Sequence, residues 1–367
     1  MSDANNPKHY VNTRAFSPGR RMLALARWTA AKRTARCISA FGFSPRHVCS
    51  RSLSTFVETL GNNYFEVTTS VTKGRQVVAL RDIAAGTSVL QSSPLAKVLK
   101  LSSHSTTDAT RVCAHCFQLY SPDAGHGQYC SESCLESAWA QGEEILSRCD
   151  DSRLQQLYVS EGRKFPLLVA RLISRILCEL KNNQGQSPTA TNVAHLCFAN
   201  FAEQLENELR KDYDLVKSMY LDTGIIRSDD FETLFPAQWF FRAIGSLQLN
   251  AFELSVAAGD NDPEIKASAL LPGAASMFNH SCDPSLGVST DRSATTHFVT
   301  QVPVSAGDEL CISYIGGGSD AQEMLYQQTS SEASPVTTLN SSFEERRSFL
   351  LDKYGFECDC PRCKAQA

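Results

Sequence analysis

Four cysteines between residues 113 and 134 have the spacing of a structural zinc site. They form two close pairs, Cys113-x2-Cys116 and Cys130-x3-Cys134. Each pair can bind a metal ion from a tight turn or from the start of a helix. Four thiolates complete the tetrahedral shell of a zinc ion and leave no open position for catalysis. Buried free cysteines or a redox CxxC motif are the alternatives. Two pairs within 22 residues favour zinc, which would supply folding energy to a segment too small for its own core.

Two further motifs and the C-terminal segment carry groups that could do chemistry. Residues 279–284 read NHSCDP, and residues 307–314 read GDELCISY, a strand-like segment that ends in Tyr314. Residues 358–363, CDCPRC, add three thiolates, one fewer than a closed zinc site needs. The alternative readings are a tyrosine that only packs in a core and free thiols in an exposed tail.

The elements that must position these groups are short strands and several helices. Aromatic and β-branched runs separated by Gly-containing turns, the first turn at 73–75, predict small twisted antiparallel sheets. Strand-forming runs occur at 64–71, 77–80, 88–90, 287–288, 297–300 and 309–312. Residues 151–250 are mainly helical by pattern. Helices are predicted over about 165–181, 192–210, 236–249 and 343–354. The chain therefore belongs to the α+β class.

Composition sets broad limits on the class of protein. The 367 residues suffice for two or three domains, and 42% hydrophobic and 20% charged residues are ordinary for a soluble globular protein. The longest apolar stretch, Phe165–Leu180, contains Arg171 and Arg175 and is too short and too charged to span a bilayer. We therefore expect no membrane association and no secreted disulfides.

The charge is unevenly distributed along the chain. Residues 1–57 hold ten Lys/Arg against one acid, a charge of +9, so the total of −4 leaves −13 for the remainder. A basic amphipathic helix over 21–43 would fit an organelle transit peptide, most typically mitochondrial. A nucleic-acid or nuclear-import arm, or a disordered tail in a nuclear or cytoplasmic protein, are the alternatives. The acidic remainder argues against direct nucleic-acid binding by the folded part.

In their order along the chain, these motifs resemble the SET domain, the catalytic fold of most protein lysine methyltransferases. The segment 129–134, YCSESC, also resembles the core of MYND zinc fingers. Together they are similar to the SET-and-MYND (SMYD-type) methyltransferases, over roughly residues 62–364. A full MYND finger holds two zinc ions, but Ile145 stands where a histidine ligand is usual, so we expect a degenerate, one-zinc finger. The sequence stops four residues after Cys363, and we expect no C-terminal helical domain.

The resemblance implies a SET fold of small antiparallel sheets with a pseudoknot-like C-terminus. The implied segments are a basic extension (1–57), the N-terminal SET part (62–112), the finger (113–149), a helical insertion (150–250), the SET core (251–315), a flexible loop (316–342) and a post-SET zinc cluster (343–367).

The resemblance also implies a site and its ligands. The positions that match cofactor-binding residues are Lys73, Arg75, Asn250, Asn279, His280, Tyr314 and Phe356. Tyr314 is the implied catalytic residue. The implied second zinc site consists of Cys282, Cys358, Cys360 and Cys363. The implied ligands are S-adenosylmethionine and two structural zinc ions, and the implied partner is a histone or non-histone protein that presents a lysine. We expect a monomer.

Three functions stay open on the sequence alone. The first is an active protein lysine methyltransferase, which the retained Tyr314 and NHSC turn favour. The second is a catalytically silent SET scaffold, which the lost finger site and Gln76, in place of the second glycine of a KG-x-G loop, favour. The third is a zinc-finger adaptor for transcriptional complexes, which the acidic body disfavours.

Overall fold

The computed structural model describes residues 63–100, 111–199, 201, 203–256, 265–315 and 341–366. The strands are β1 (Phe65–Ser70), β2 (Gly74–Ala79), β3 (Ser88–Ser92), β4 (Ala96–Leu99), β5 (Arg111–Val112), β6 (Leu119–Tyr120), β7 (Ala251–Val256), β8 (Ile265–Leu270), β9 (Asn279–His280), β10 (Leu286–Thr290), β11 (Thr296–Thr300) and β12 (Cys311–Ile312). The helices are α1 (Glu132–Ala140), α2 (Glu143–Leu146), α3 (Ser152–Glu161), α4 (Phe165–Asn182), α5 (Pro188–His195), α6 (Glu203–Leu221), α7 (Ser228–Leu234), α8 (Ala237–Asn250), α9 (Phe343–Tyr354) and α10 (Pro361–Lys364).

Most strands form small antiparallel sheets, and the predicted α+β class is confirmed. The pairs β1–β2 and β5–β6 are hairpins, while β10–β11–β3 and β4–β8–β7 are three-stranded sheets. The first hairpin turn lies at 71–73, not at the predicted 73–75. Gly74 already pairs with Ser70 and has a φ of +70°, which glycine adopts at little cost.

One pair of strands in the described residues is parallel, a feature that the sequence did not predict. β9 and β12 lie side by side with Asn279 opposite Cys311. The pairing continues through Ser281, whose N–H donates to the carbonyl of Ile312 at 2.9 Å. On its other side, the chain just before β12 hydrogen-bonds to β2. Residues 307–312 therefore lie between β2 and β9, in agreement with the pseudoknot-like arrangement expected.

A core of aromatic rings fixes the point where the polar NHSC turn begins. Phe278 packs against Phe65 and Phe298, with ring centroids 5.9 Å and 5.1 Å away. All three rings are almost fully buried. Such rings contribute both apolar area and edge-to-face contacts. Because Asn279 directly follows Phe278, this core determines where the first polar side chain of the turn emerges.

The helical region differs from the sequence prediction at one place. A single helix was expected over about 192–210, but the chain forms α5 and α6 with an irregular segment between them. Helix α5 starts earlier than expected because Ser187 caps it and Pro188 occupies its first turn. The helix stops because Ala199 N–H donates to Gly245 O at 3.1 Å and Cys197 O accepts from Asn250 Nδ2 at 2.9 Å. These tertiary hydrogen bonds outweigh the local helix propensity.

The other predicted helices are confirmed as α4, α8 and α9. Helix α9 begins with a capping box, in which Ser342 and Glu345 each bond the other's backbone N–H. It ends at Gly355, whose φ of +74° turns the chain sharply. The helix thereby presents Tyr354 and Phe356, on either side of that turn, to the end of the SET core.

Several sequence predictions fall outside the described residues. The basic extension 1–57 and most of the loop 316–342 are among them. Their roles stay predictions, and so do the domain boundaries. Among the described helices, none combines the length and apolarity needed to cross a membrane.

The close approach of helix α8 to residue 199 gives a test of this packing. Replacing a helical glycine with alanine normally stabilises a helix by about 1 kcal/mol. At Gly245, however, the new Cβ would lie 2.4 Å from the backbone oxygen of Ala199. We expect Gly245→Ala to lower the free energy of unfolding by about 1–3 kcal/mol, measured by urea denaturation. Gln238→Ala, on the exposed side of the same helix, should change it by less than about 0.5 kcal/mol. A more stable Gly245→Ala variant would contradict the packing described.

Candidate active site and cysteine clusters

Asn279 lies at the centre of a hydrogen-bonded polar group. Its Nδ2 donates to the backbone oxygen of Arg75 at 2.9 Å and to Glu309 Oε1 at 2.8 Å. The other carboxylate oxygen of Glu309 accepts from Lys73 Nζ at 2.9 Å. This hydrogen bond raises the pKa of Lys73 above its ordinary value, so that the lysine stays charged. Lys73, Arg75 and Asn279, predicted as cofactor-binding residues, thus belong to one hydrogen-bonded group, which Lys73 joins through Glu309 and Arg75 through its backbone oxygen.

Arg75 and Asn250 meet at the irregular segment that follows helix α5. The Arg75 guanidinium donates to the backbone oxygen of His195 and, at 2.9 Å, to Cys197 Sγ. Asn250 Nδ2 donates to the backbone oxygens of Cys197 and Ser246, at 2.9 and 2.8 Å. The side chains of these two predicted residues therefore hold residues 195–197 in place beside the Asn279 group.

His280 and Tyr314 are joined by a hydrogen bond. The backbone N–H of Tyr314 donates to His280 Nδ1 at 2.9 Å. Burial, with the nearby Arg346 charge, lowers the pKa of His280 to about 4. The imidazole is therefore neutral, and because Nδ1 accepts, its proton is on Nε2. That nitrogen lies 3.3 Å from Cys282 Sγ, so one ring links Tyr314 to a predicted zinc ligand.

The Tyr314 side chain is held among aromatic rings. Its hydroxyl donates to the backbone oxygen of Phe278 at 2.7 Å. Its ring lies 4.8 Å from the ring of Tyr354, 5.4 Å from His280 and 6.4 Å from Phe356. Burial raises the pKa of the phenol, which stays protonated at neutral pH. These rings form an apolar wall in which the hydroxyl of Tyr314 is held in one position.

Sequence reasoning missed two residues of this site. Glu309 lies inside the GDEL run that pointed to Tyr314, and a carboxylate in that run was the available signal. Tyr354 lies two residues before the predicted Phe356, at the end of a helix that leads into the last cysteines. Its contact with Tyr314 depends on how helix α9 packs, which no local pattern specifies.

The four cysteines of the predicted C-terminal site do come together. The Sγ atoms of Cys282, Cys358, Cys360 and Cys363 all lie within 4.8 Å of one another. Cys282 and Cys363 are 3.6 Å apart, too far for the disulfide length of about 2.05 Å. A tetrahedron with Zn–S bonds of about 2.3 Å has edges of about 3.8 Å. The geometry therefore fits one zinc ion bound by four thiolates.

The thiols of this cluster differ in their acidity when no metal is bound. Burial raises the pKa of Cys358 and of Cys363 to about 11. Burial also acts on Cys360, but backbone N–H groups of Cys363 and Cys282 outweigh it and lower that pKa to about 7. Most of the cluster would thus be protonated on its own, and a dication is what converts such a group to thiolates.

Arg346 is a further residue that the sequence did not indicate. It is only 1% exposed, and its guanidinium donates to Gln366 Oε1 at 2.6 Å. Burial lowers its pKa, but interactions with Cys282 and Cys363 raise it overall. Four thiolates around one Zn²⁺ leave a negative excess, and a buried guanidinium beside them offsets it.

The finger holds the second cysteine cluster. The Sγ atoms of Cys113, Cys116, Cys130 and Cys134 also lie within 4.8 Å of one another. Cys116 and Cys134 are 3.5 Å and 3.6 Å from Cys130, again zinc-like spacings. Ser131 caps helix α1 by accepting from Cys134 N–H at 3.2 Å. Within the described residues, these two cysteine groups are the only clusters that could hold a metal.

Comparison with known proteins identifies the family. The SET domain family model matches residues 74–315, well over half of the 367 residues. The chain belongs to the SET-domain family. A SET and MYND domain-containing protein of Dictyostelium discoideum is 27% identical over 64% of this chain. Histone-lysine N-methyltransferase ATXR4 of Arabidopsis thaliana and N-lysine methyltransferase SMYD2-A of Xenopus laevis are each 24% identical over 80% of it. The SMYD-type resemblance is confirmed.

The share of each relative that is covered varies. The chain spans 63% of the length of the Dictyostelium relative and 59% of the Xenopus one, but 83% of ATXR4. One solved structure is the SET domain of LSMT bound to lysine and AdoHcy. Its alignment with this protein covers 86% of this chain and 58% of the LSMT chain, at 17% identity and a TM-score of 0.34. This structural overlap is too low to carry an inference.

Metal content tests the two clusters independently. We expect the purified protein to contain two zinc ions per chain by elemental mass spectrometry. Cys363→Ser and Cys116→Ser should each contain one, since three thiolates no longer close a shell. Cys178→Ser removes a half-buried cysteine outside both clusters and should retain two. A zinc content that Cys363→Ser leaves unchanged would contradict the C-terminal site.

Proposed function

We propose that this SET-domain protein is an S-adenosylmethionine-dependent protein-lysine N-methyltransferase. The observation that carries the proposal is the placement of Tyr314. Its backbone is bound to His280, its hydroxyl to the carbonyl of Phe278, and its ring to an aromatic wall beside the Asn279 group. The names of relatives such as ATXR4 and SMYD2-A, both lysine methyltransferases, support it.

The residues present fit S-adenosylmethionine as the methyl donor, which would supply a methyl group activated on a sulfonium. The group would be held by Lys73, Arg75, Asn250, Asn279, His280 and Phe356. Asn279 Oδ1 accepts no hydrogen bond from the described residues and is available to a ligand donor. The rings of Phe356 and Tyr314 offer electron-rich faces, which attract cations.

The chemistry needs a neutral lysine amine close to the methyl carbon. Free lysine has a pKa of about 10.4 and is almost wholly protonated at neutral pH. An apolar wall disfavours the charged amine, as does a neighbouring positive charge, and both lower that pKa. In the proposed reaction the amine would release its proton to solvent and form a nitrogen–carbon bond as the carbon–sulfur bond of the methyl donor breaks. Holding both reactants aligned contributes about 7–11 kcal/mol in well-oriented reactions.

Tyr314 would orient the amine in this step. Its hydroxyl proton is already donated to Phe278 O, so the oxygen can act towards an incoming amine only as an acceptor. A phenol whose pKa is raised stays neutral and accepts an N–H from the amine, which directs the nitrogen lone pair. Tyr354, whose ring is 4.8 Å away, would form the opposite part of the wall.

We propose that both cysteine clusters bind structural zinc. Their four-thiolate shells have no open position for a substrate. The C-terminal ion would fix Phe356, which lies two residues before Cys358, over the cofactor site. The monomeric state and the cellular compartment stay predictions from the sequence.

Removal of the Tyr314 hydroxyl tests the catalytic proposal. We expect Tyr314→Phe to lower the rate of labelled methyl transfer from S-adenosylmethionine to proteins of a cell extract by roughly a hundredfold. Cofactor affinity should change by less than about threefold, since the ring stays in place. The wild-type rate should rise with pH above neutrality as the lysine amine loses its proton.

Tyr213→Phe is the matched control, because Tyr213 is a buried tyrosine of helix α6 far from the site in sequence. It should retain wild-type activity. Full activity of Tyr314→Phe would remove the role given to the hydroxyl. A wild-type protein that neither binds the cofactor nor transfers methyl groups would instead support the catalytically silent scaffold.

A further inference from the structure

The Asn279 side chain has a fixed orientation because both hydrogens of its amide are in use. One is donated to the backbone oxygen of Arg75 and the other to Glu309 Oε1. A backbone carbonyl and a carboxylate can only accept. A flipped amide would place Oδ1 against two acceptors, so Glu309 and Arg75 determine which end of the amide is left for a ligand.

Glu309 also neutralises the lysine beside it. Lys73 Nζ lies 2.9 Å from Glu309 Oε2, and the Glu309 side chain is only 17% exposed. A second acid, Asp359, is 3.8 Å from Lys73 but 64% exposed, so that water and salt screen it. The Arg75 guanidinium donates to His195 O and Cys197 Sγ, neither of which is a carboxylate.

The charge balance of this group bears on which ligand it favours. S-adenosylmethionine carries a sulfonium, whereas the product, S-adenosylhomocysteine, carries a neutral thioether. Without the Glu309 carboxylate, Lys73 and Arg75 would present an uncompensated positive charge to the cationic ligand. Such a charge disfavours the sulfonium more than the thioether, because like charges repel.

A purely structural role does not account for this side chain. The backbone around Glu309 is already held to strand β2, since Leu310 N–H donates to Val77 O at 2.8 Å and Ala79 N–H to Asp308 O at 2.9 Å. The carboxylate is not needed for that pairing. Its two oxygens accept hydrogen bonds from Lys73 and Asn279, both of which belong to the proposed cofactor site.

We propose that Glu309 is a positioning residue that orients the Asn279 amide and offsets the charge of Lys73, which would otherwise disfavour the methyl donor relative to the spent product. The proposal rests on the proposed function. The carboxylate holds Asn279 Oδ1 available to a ligand donor and cancels the charge of Lys73. The product carries no sulfonium and is therefore less affected by this cancellation.

Calorimetric titration with S-adenosylmethionine and S-adenosylhomocysteine tests this on the zinc-loaded protein. We expect Glu309→Gln to weaken binding of the methyl donor by about tenfold and of the product by less than about threefold. Lys73→Gln leaves the carboxylate unbalanced, and the ratio of the two affinities should shift in the opposite direction. Glu232→Gln removes another lysine-paired carboxylate, on helix α7, and should leave both affinities unchanged.

The possible binding results distinguish the two roles of Glu309 from each other and from the proposed function. Equal losses for both ligands in Glu309→Gln would overturn the preference and leave an orienting role only. No loss for either ligand would overturn the whole inference. A wild-type protein that binds neither ligand would overturn the proposed function, and this inference with it. Lys73→Gln gives an independent answer if Glu309→Gln does not fold, since Lys73 is 41% exposed.

Discussion

The site depends on a two-residue parallel pairing between strands β9 and β12. It places Asn279 opposite Cys311 and His280 opposite Ile312. Because Tyr314 follows β12 by two residues, its N–H then reaches His280 Nδ1. Two segments some thirty residues apart are joined here. Strand β9 is also fixed by the aromatic core, because Phe278, which directly precedes it, packs against Phe298. The loss of backbone freedom at the crossing is offset by burial on both sides.

The same pairing places the cysteine cluster beside the Tyr314 site. Cys282 follows His280 by two residues and lies 3.3 Å from its Nε2. One imidazole therefore contacts both the tyrosine backbone and a thiol of the cluster. Tyr354 ends helix α9 and Phe356 lies between that helix and Cys358, so the positions of both depend on where that cluster is anchored. Zinc binding at this cluster, as proposed, would therefore couple folding to the placement of the aromatic wall.

Features with a fixed chemical spacing could be predicted from the sequence. The finger cysteines follow from ligand spacing, whereas the place of Cys282 in the C-terminal group and the contacts of Asn279, His280 and Tyr314 follow from motifs that the family resemblance placed together. Glu309, Tyr354 and Arg346 could not be assigned, because their roles arise from contacts between distant segments. The break between helices α5 and α6 was missed for the same reason, since its hydrogen bonds come from helix α8.

The proposed cofactor site joins residues 73–78, 279–282 and 311–314, three of its segments that are distant in sequence. Amide hydrogen exchange with and without saturating S-adenosylmethionine tests it most directly. The ligand should slow exchange together in residues 73–78, 279–282 and 311–314, and leave the finger, 113–149, unchanged. Protection confined to one of these segments, or found only in the finger, would contradict the site described.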